Sequence, residues 1–569
     1  MNHKDHSDTA QRRIPSSLLV VIIVALCARI GWWFAFVDVI DNEGAEYARL
    51  GQSLIAGHGM IGIFGGRSIM FPPLFPALIG LFSLLTGNVE TAGRVVNLVC
   101  GTALVGVLYV LALHLFNART AIVVGVLAAI HPLLVALSVS TYSECLWIFL
   151  VISSLYLVVR SLKTESKTQV TIAGLAVGLS YLARPEGMAF FAFLAVALFS
   201  TMLIQRCKPT VTMRQTGLFL AAGLIVILPY VIYLSSLAGS FHWEGKSVYN
   251  NIQNERLRAG MTVPQAARGL DAQGNPVGIF LSLHLDQKQL LRQPVPSSES
   301  LLKTLTTNTI PRTKNIIYKI LTLRFLSAPW IFAPILIGVG FAAWWHKCLW
   351  EGLIVLAVLP IQGILLLSID LGWDRYYFTL VPLLILWASA GLVWLAEIFS
   401  RRTVKQNGIE QSTLSVGIAL LGGLLLSSAA YSGVRSVGEL EQAGDKVGKE
   451  IGQWIALDAS TRHIAGRPDV MAITLSSVFY ADGTLRYLPT ADEEATLGYV
   501  HRIQPHYIVL RDFELRQTPY AKAWLERGIS DKCAIPVKAK WSRQNDASKI
   551  WRWACSSEET DSEPAVTPR

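Results

Sequence analysis

The stretch SSLLVVIIVALCARIGWWFAFV, residues 16–37, decides the class of this chain. It is an almost uncharged run, long enough for a helix to cross the hydrocarbon core of a bilayer, which takes about 20 residues. Trp32 and Trp33 lie near its end and are typical of the membrane–water interface. The apolar core is too long for a cleaved signal peptide, and tryptophans stand where a small-residue cleavage site would be needed. The stretch therefore predicts a signal anchor.

Similar apolar runs recur along the chain. Its 569 residues are 52% hydrophobic and only 15% charged, whereas soluble proteins carry about 25% charged residues. The sequence predicts a polytopic α-helical membrane protein with about eleven transmembrane helices. They are expected at 16–37, 93–116, 119–137, 142–161, 169–183, 188–204, 215–236, 329–345, 349–368, 376–398 and 413–431.

The positive charges indicate how the chain is oriented. Cytoplasmic loops are rich in Lys and Arg, and a cytoplasmic N-terminus places all five short basic segments inside: 3–13, 160–167, 206–214, 346–347 and 401–405. The alternate loops then lie outside and carry Asp38, Asp41, Glu43, Glu46, Glu90, Glu144, Glu186, Asp370 and Asp374. The net charge of +10 is thus explained by membrane topology, and no nucleic-acid partner is expected.

Three regions follow from this pattern. Residues 1–431 form the predicted membrane core, with outer loops at 38–92 and 237–328. Residues 432–557 read as an extracytoplasmic α/β domain, with a helix at 439–457 and strands at 470–474, 507–511 and 549–555. Residues 558–569 read as a disordered tail. Cys533 and Cys555, exported by this topology, are a candidate disulfide pair.

Two apolar segments of the outer loops are expected at the membrane surface. Residues 71–87, which open with Phe71-Pro72-Pro73-Leu74, are too short to span comfortably and predict a helix in the interface. Residues 300–324 alternate apolar and basic side chains, which favours a membrane-surface amphipathic segment.

Carboxylates in the outer loops are candidates for chemistry. Asp41 and Glu43 follow the first span directly, and a partly buried carboxylate there can act as a general base; the alternative is a solvated acidic loop. Glu144 lies at the outer start of the fourth predicted span and is a further candidate. Thr141 and Glu144 also fit a helix capping box, in which Glu144 would be the third helical residue.

Cations near the outer ends of spans are candidates for binding a lipid phosphate. Arg184, in Ala183-Arg184-Pro185-Glu186, can form charge-assisted hydrogen bonds to a phosphate, or can pair locally with Glu186. Arg375 and Tyr376 open a late span, where an interfacial anchor is the alternative. Lys246 lies in the second outer loop.

These residues resemble the motifs of membrane glycosyltransferases of the GT-C fold, in their protein mannosyltransferase-like and aminoarabinose transferase-like branch. Glu43-Gly44-Ala45-Glu46-Tyr47 resembles the Asp-Glu-x-x-Tyr stretch that follows the first span in that family, where the leading Asp is taken as the catalytic base. Glu43 stands at that place, and Gly44 replaces the second acid, which leaves Asp41 as a rival base.

Further motifs carry the same resemblance. Pro72-Pro73-Leu74 followed by Gly87 is similar to the family's interfacial helix, although Phe71 stands where some relatives have Lys, so a phosphate contact is missing or has moved to Arg67. Residues 181–187 are similar to the family's Arg-Pro-Glu-Gly motif. Residues 374–383 are similar to the Arg-Tyr stretch that opens a late span.

The resemblance implies a glycosyltransferase that moves a sugar from a polyprenyl-phosphate donor to a lipid, glycan or protein acceptor, by an inverting single displacement on the extracytoplasmic face. Arg184, Arg375, Tyr376, Arg67 and Lys246 would bind the phosphate, and Glu43, Asp41 or Glu144 would be the base. Some relatives use a divalent cation, which the outer acids could hold. The expected location is a bacterial inner membrane. The alternatives are a lipid or solute transporter and an inactive scaffold relative.

Overall fold

A computed structural model describes residues 15–40, 42–284, 287–291, 314, 332–344, 349–368, 380–407, 414–424, 445–511, 514–515, 518–539, 541 and 547–555. The predicted surface segment 300–324, apart from residue 314, and the predicted tail 558–569 lie outside the described residues. The helices that precede residue 425 are α1 Ser16–Phe36, α2 Asn42–Ile55, α3 Leu74–Thr86, α4 Val89–Leu115, α5 Ala118–Ile130, α6 Pro132–Leu137, α7 Glu144–Thr164, α8 Lys167–Ala183, α9 Gly187–Ile204, α10 Pro209–Ala238, α11 Lys246–Arg258, α12 Val263–Arg268, α13 Lys288–Leu291, α14 Phe332–Trp344, α15 Leu349–Ser368, α16 Val381–Asn407 and α17 Leu414–Leu424.

Each of the eleven predicted spans overlaps at least one helix of the described residues. Among the described residues, six helices are long and apolar enough to cross a membrane: α1, α4, α7, α9, α10 and Val381–Ser400 of α16. Shorter apolar helices, including α5 and α17, account for most of the others. The prediction of one continuous helix over 119–137 was wrong, because α5 ends at Ile130 and α6 begins at Pro132. Proline lacks the N–H that a continuing helix needs and disfavours helical geometry in the residue before it.

The predicted helix within 71–87 is confirmed as α3, which ends at Gly87 with φ of 69°. Leu81, Leu84 and Leu85 are between 57% and 83% exposed on this helix, which leaves an apolar face without a protein partner in the described structure. Its place in the membrane interface stays a prediction.

The chain after residue 444 forms a mixed sheet with helices α18 Lys446–Thr461, α19 Leu475–Tyr480, α20 Glu493–Ile503 and α21 Ala521–Arg527. The strands are β1 Asp469–Ala472, β2 Thr484–Tyr487, β3 Tyr507–Leu510, β4 Ala534–Pro536 and β5 Lys549–Trp553, in the order β2-β1-β3-β5-β4. β1 is parallel to β2 and β3, and β5 is antiparallel to β3 and β4. The three predicted strands are confirmed as β1, β3 and β5, while β2 and β4 were not predicted.

A disulfide joins Cys533 and Cys555, whose Cα atoms are 4.6 Å apart. It ties the start of β4 to the residues that follow β5. His501 lies close enough to both sulfurs to form a metal-binding group, but the disulfide leaves neither thiolate available as a ligand.

The α/β unit packs directly on the first outer loop. Arg49 of α2 forms an ion pair with Asp482, and the Leu485 N–H donates to the carbonyl of Ile63 at 2.8 Å. Tyr480 lies beside the end of α1, where its hydroxyl accepts the Ile40 N–H at 2.9 Å. Apolar residues of the loop and of the unit share one core: Ile40, Ala45, Ala48 and Ile63 pack with Val447, Ile451, Val470 and Leu485. Helix α2 is therefore held between the helical bundle and the α/β unit.

Candidate active site

The start of α2 lies against the segment that precedes α7. A side chain at Gly44 would overlap the hydroxyl and Cβ of Thr141. This contact explains the departure at position 44, because the second acid of the family's motif could not be accommodated there. The absence of that acid therefore has a packing reason.

We expect Gly44→Ala to destabilise the protein by about 1–3 kcal/mol, the usual cost of overpacking a tight contact. The matched test combines it with Thr141→Gly, which removes the atoms in conflict. Thermal unfolding of the detergent-solubilised protein measures both variants. The contact would be the wrong explanation if the double variant were no more stable than Gly44→Ala alone.

Tyr47 links the first outer loop to the start of α7. Its hydroxyl and the Ser143 hydroxyl are 2.9 Å apart, and its ring packs against Phe71 and Phe75, with centroid distances of 4.7 and 5.2 Å. Burial, and then the negative charge of Glu43, raise the pKa of the Tyr47 phenol. Glu43 is half-buried in the first turn of α2, so its carboxylate lies near this hydrogen-bonded pair. Phe71 therefore has a packing role beside the Tyr47 ring.

Arg184 joins two carboxylates inside the protein. Its guanidinium lies 2.6 Å from Glu144 and 2.9 Å from Glu186, and the residue is only 4% exposed. Burial alone would raise the pKa of Glu186, but the charges of Arg184 and Lys246 outweigh it and lower that pKa to about 2. The three side chains therefore form a buried, charge-assisted cluster, which we call the Arg184 cluster.

The capping-box interpretation of Thr141 and Glu144 was wrong. Helix α7 begins at Glu144 itself, with Ser143 as its N-cap residue and no capping side-chain hydrogen bond at that end. Glu144 instead reaches Arg184, because a charge-assisted ion pair in a buried site is stronger than a cap on a helix end.

The second outer loop covers the Arg184 cluster. Tyr181 of α8 donates its hydroxyl hydrogen to the Trp243 carbonyl, and Gly245 lies so close to the Ile69 carbonyl that a side chain there would overlap it. These contacts fix the start of α11, where Lys246 is half-buried and close enough to Glu186 to affect its pKa. Lys246 also stands at a helix N-terminus, which carries a partial positive charge of its own.

Glu46 is a buried carboxyl one turn after Glu43, to which the sequence analysis gave no role. It is 2% exposed, and its Oε2 accepts the Ile63 N–H at 2.6 Å. Burial raises its pKa to about 7, although the Ile63 hydrogen bond and the charge of Arg49 act in the opposite direction. Glu46 thus fixes the turn of the first outer loop against α2.

This pKa predicts a pH-dependent stability. The unfolded carboxyl titrates near 4.5 and the folded one near 7, so between these pH values the folded protein holds a proton that the unfolded chain has lost. Raising the pH through this window therefore lowers the free energy of unfolding, by up to about 3 kcal/mol. Glu46→Gln stays neutral, and we expect its unfolding midpoint to fall less than that of the wild type between pH 5 and 8. Parallel pH profiles for the two proteins would contradict this assignment.

Of the remaining predicted site residues, the structure describes only Arg67. Asp41, Arg375 and Tyr376 lie outside the described residues. Arg67 is exposed on the turn that pairs with Ile61, and none of the contacts described joins its side chain to the Arg184 cluster.

Glu144 and Glu186 do not suit a divalent cation at this place. Such a cation takes carboxylate and carbonyl oxygens as ligands, but both carboxylates already pair with the guanidinium of Arg184.

Comparison with known proteins supports the resemblance to membrane glycosyltransferases that the motifs indicate. Residues 71–233 match the family model described as dolichyl-phosphate-mannose-protein mannosyltransferase. A comparison with curated proteins found no match. Among solved structures, ArnT from Cupriavidus metallidurans bound to undecaprenyl phosphate is 16% identical, with 95% of this chain and 98% of that chain covered and a TM-score of 0.55. The oligosaccharyltransferase AglB from Archaeoglobus fulgidus, in complex with an inhibitory peptide and a dolichol-phosphate, is 13% identical over 90% of this chain and 70% of that chain, with a TM-score of 0.59.

The chain therefore has the fold of the GT-C membrane glycosyltransferases, and it is an integral membrane protein. The resemblance read from its motifs is confirmed, as is the fold class predicted from its apolar runs and its C-terminal α/β pattern.

Proposed function

We propose that this protein transfers a sugar from a polyprenyl-phosphate donor to an acceptor at the end of the helical bundle that the α/β unit covers. The observation that carries the proposal is the convergence of Glu43, Tyr47, Lys246 and the Arg184 cluster at one place. These residues come from α2, from the start of α7, from the α8–α9 turn and from the second outer loop. The two solved structures, which are complexes with dolichol-phosphate and undecaprenyl phosphate, support a lipid-phosphate donor.

Glu43 is the best candidate for the base that takes the proton of the acceptor. A general base must reach the group that it deprotonates, and Glu43 is half-buried on the first turn of α2. Glu144 is 2% exposed and pairs with Arg184, which makes it less accessible to an acceptor. Its proposed role is to hold Arg184.

Lys246 and Arg184 are the candidate cations for the donor phosphate. Two carboxylates already compensate the charge of Arg184, so Lys246, half-buried at the start of α11, supplies the positive charge that faces the ligand more directly. A phosphate leaving group is stable as an anion, so no general acid is needed. One base-activated acceptor and one displacement invert the anomeric centre.

The location and the domain limits remain part of the proposal. The charge pattern supports a cytoplasmic N-terminus and an extracytoplasmic α/β domain beginning near residue 432. A bacterial inner membrane is the proposed location, and the disulfide between Cys533 and Cys555 fits it. A transporter would concentrate ionisable residues near the middle of its spans. Here the Arg184 cluster lies at helix ends instead, which favours the transferase.

Membranes that contain the wild-type protein, given a radiolabelled pool of polyprenyl-phosphate sugars, test the proposal. We expect label to move into a lipid, glycan or protein fraction, and that fraction names the acceptor class. Membranes from cells without the protein are the control. If the wild type transferred no label across a broad set of donors, the transporter or scaffold alternative would replace the transferase.

A further inference from the structure

Arg29 is a charged residue inside the first span. It lies in α1 and is 0% exposed, although Ile30 and Leu26 beside it are exposed to the surroundings of the bundle. A guanidinium at such a position is costly, and such residues usually pair with polar groups inside the bundle and have a function. Arg29 lies within the apolar run 16–37, and no role was predicted for it from the sequence.

The partners of Arg29 lie on both sides of the break between α5 and α6. Its Nη1 donates to the Ala129 carbonyl at 2.9 Å and to the Ala25 carbonyl at 3.0 Å, and its Nε donates to the Ser138 hydroxyl at 3.0 Å. Ala129 belongs to the last turn of α5, where carbonyls have no helical partner. Arg29 therefore ties the end of α5 to the segment that leaves α6.

Helix α4 holds the next part of the same segment. Asn97 donates from Nδ2 to the Ser140 carbonyl at 2.8 Å and to the Tyr142 carbonyl at 2.7 Å. Gly101 leaves the room that the Ser138 side chain occupies. Residues 138–142 are thus clamped between α1 and α4, and the next residues are Ser143 and Glu144 of the proposed site.

The contacts of Arg29 depend on its shape as well as its charge. Among the described residues, no carboxylate is within ion-pair distance of Arg29, and its hydrogen bonds go to two carbonyls and a hydroxyl. A planar guanidinium donates in two directions from fixed positions, whereas an ammonium is a single point of charge. Simultaneous hydrogen bonds to Ala129 and Ser138 therefore require the shape of an Arg side chain in particular.

We propose that Arg29 is a positioning residue, which fixes segment 131–143 so that Ser143 reaches Tyr47 and Glu144 reaches Arg184. The inference rests on the proposed function for its catalytic consequence. A misplacement of about 1 Å in a catalytic constellation can cost about 10²-fold in rate. Loss of Arg29 removes the hydrogen bonds that join α1 to Ala129 and Ser138, and the segment then keeps its attachment to α4.

The first test compares kcat and KM for a polyprenyl-phosphate sugar in wild type, Arg29→Met, Arg29→Lys and Val21→Ala. Val21 is buried on the same helix and controls for a general loss of packing. We expect Arg29→Met to lower kcat by about 10²-fold with little change in KM, Arg29→Lys to recover part of the loss, and Val21→Ala to keep its kcat. In combination with Glu144→Gln, Arg29→Met should add little further loss. A kcat that falls equally in Arg29→Met and Val21→Ala would overturn the proposal.

The second test needs no sugar transfer. Cys145 is 3% exposed and its thiol lies 3.9 Å from the Ser138 hydroxyl, so it reports on this segment. In a protein whose Cys27, Cys100, Cys207 and Cys348 are replaced by Ser, we expect N-ethylmaleimide to alkylate Cys145 faster in Arg29→Met than in Arg29 protein or in Val21→Ala. Unchanged alkylation would overturn the positioning role. If the wild type transferred no sugar but Arg29→Met still accelerated the alkylation of Cys145, only the proposed function would be overturned.

Discussion

Glu43→Gln is expected to abolish detectable sugar transfer while the protein remains folded. A general base contributes about 10²–10⁴-fold to a rate, and the amide keeps the size of the side chain without its basicity. Glu43 is half-buried on α2, so the substitution costs little packing. The measurement is initial rate of label transfer in membranes at matched expression, with thermal unfolding as the check on folding.

Two companion variants identify the base. Asp41→Asn changes the rival acid of the same loop, and Glu144→Gln changes the acid that pairs with Arg184. We expect Asp41→Asn to retain most of the activity and Glu144→Gln to lose part of it, together with some stability. Full transfer by Glu43→Gln, with loss in Asp41→Asn, would move the role of base to Asp41.

Arg184→Met is expected to have the largest effect on stability. It leaves the buried Glu144 and the half-buried Glu186 without their common cation. Removing one partner of a buried ion pair costs about 3–5 kcal/mol, because a buried charge is left uncompensated. Differential scanning fluorimetry of the purified protein in detergent measures the loss, and transfer is expected to fall below detection.

The control for this prediction removes the uncompensated charges as well. Arg184→Met combined with Glu144→Gln and Glu186→Gln should regain much of the stability, since no buried charge remains, and should still lack activity. If this triple variant recovered sugar transfer, Arg184 would have only a structural role. If Arg184→Met alone were as stable as the wild type, the buried ion pairs would not form as described.

Much of the candidate site could be predicted from short motifs. Glu43, Tyr47 and the Arg184–Glu186 pair each lie in a contiguous stretch that resembles a family pattern. Contacts between distant segments could not be predicted in this way. The Tyr47–Ser143 hydrogen bond joins residues 96 apart in sequence, and the reason for Gly44 lies in Thr141. Arg29 is a charged residue inside an apolar run, and this was the one local sequence signal of such a contact, the hydrogen bonds that join α1 to Ala129 and Ser138.

Hydropathy predicted the elements of the fold correctly where those elements were long. The break at His131–Pro132 was signalled by the proline, but the apolar residues on both sides favoured one span. Strands β2 and β4 have only 4 and 3 residues. β1 and β3 also have four residues each, but they consist mainly of apolar residues, whereas β2 includes Thr484 and Arg486 and β4 ends at Pro536. The two strands that were not predicted are the edge strands of the sheet, which pair with β1 and β5.

The packing of α2 against the α/β unit has a consequence for biosynthesis. Arg49 and its partner Asp482 are 433 residues apart, so the helix that carries Glu43 leaves the ribosome long before the surface that covers it exists. Until the last part of the chain has been translated, Ala45, Ala48 and Ile63 lack the apolar partners that they have in the finished protein. The order of synthesis therefore makes the candidate active site one of the last parts of the molecule to be completed.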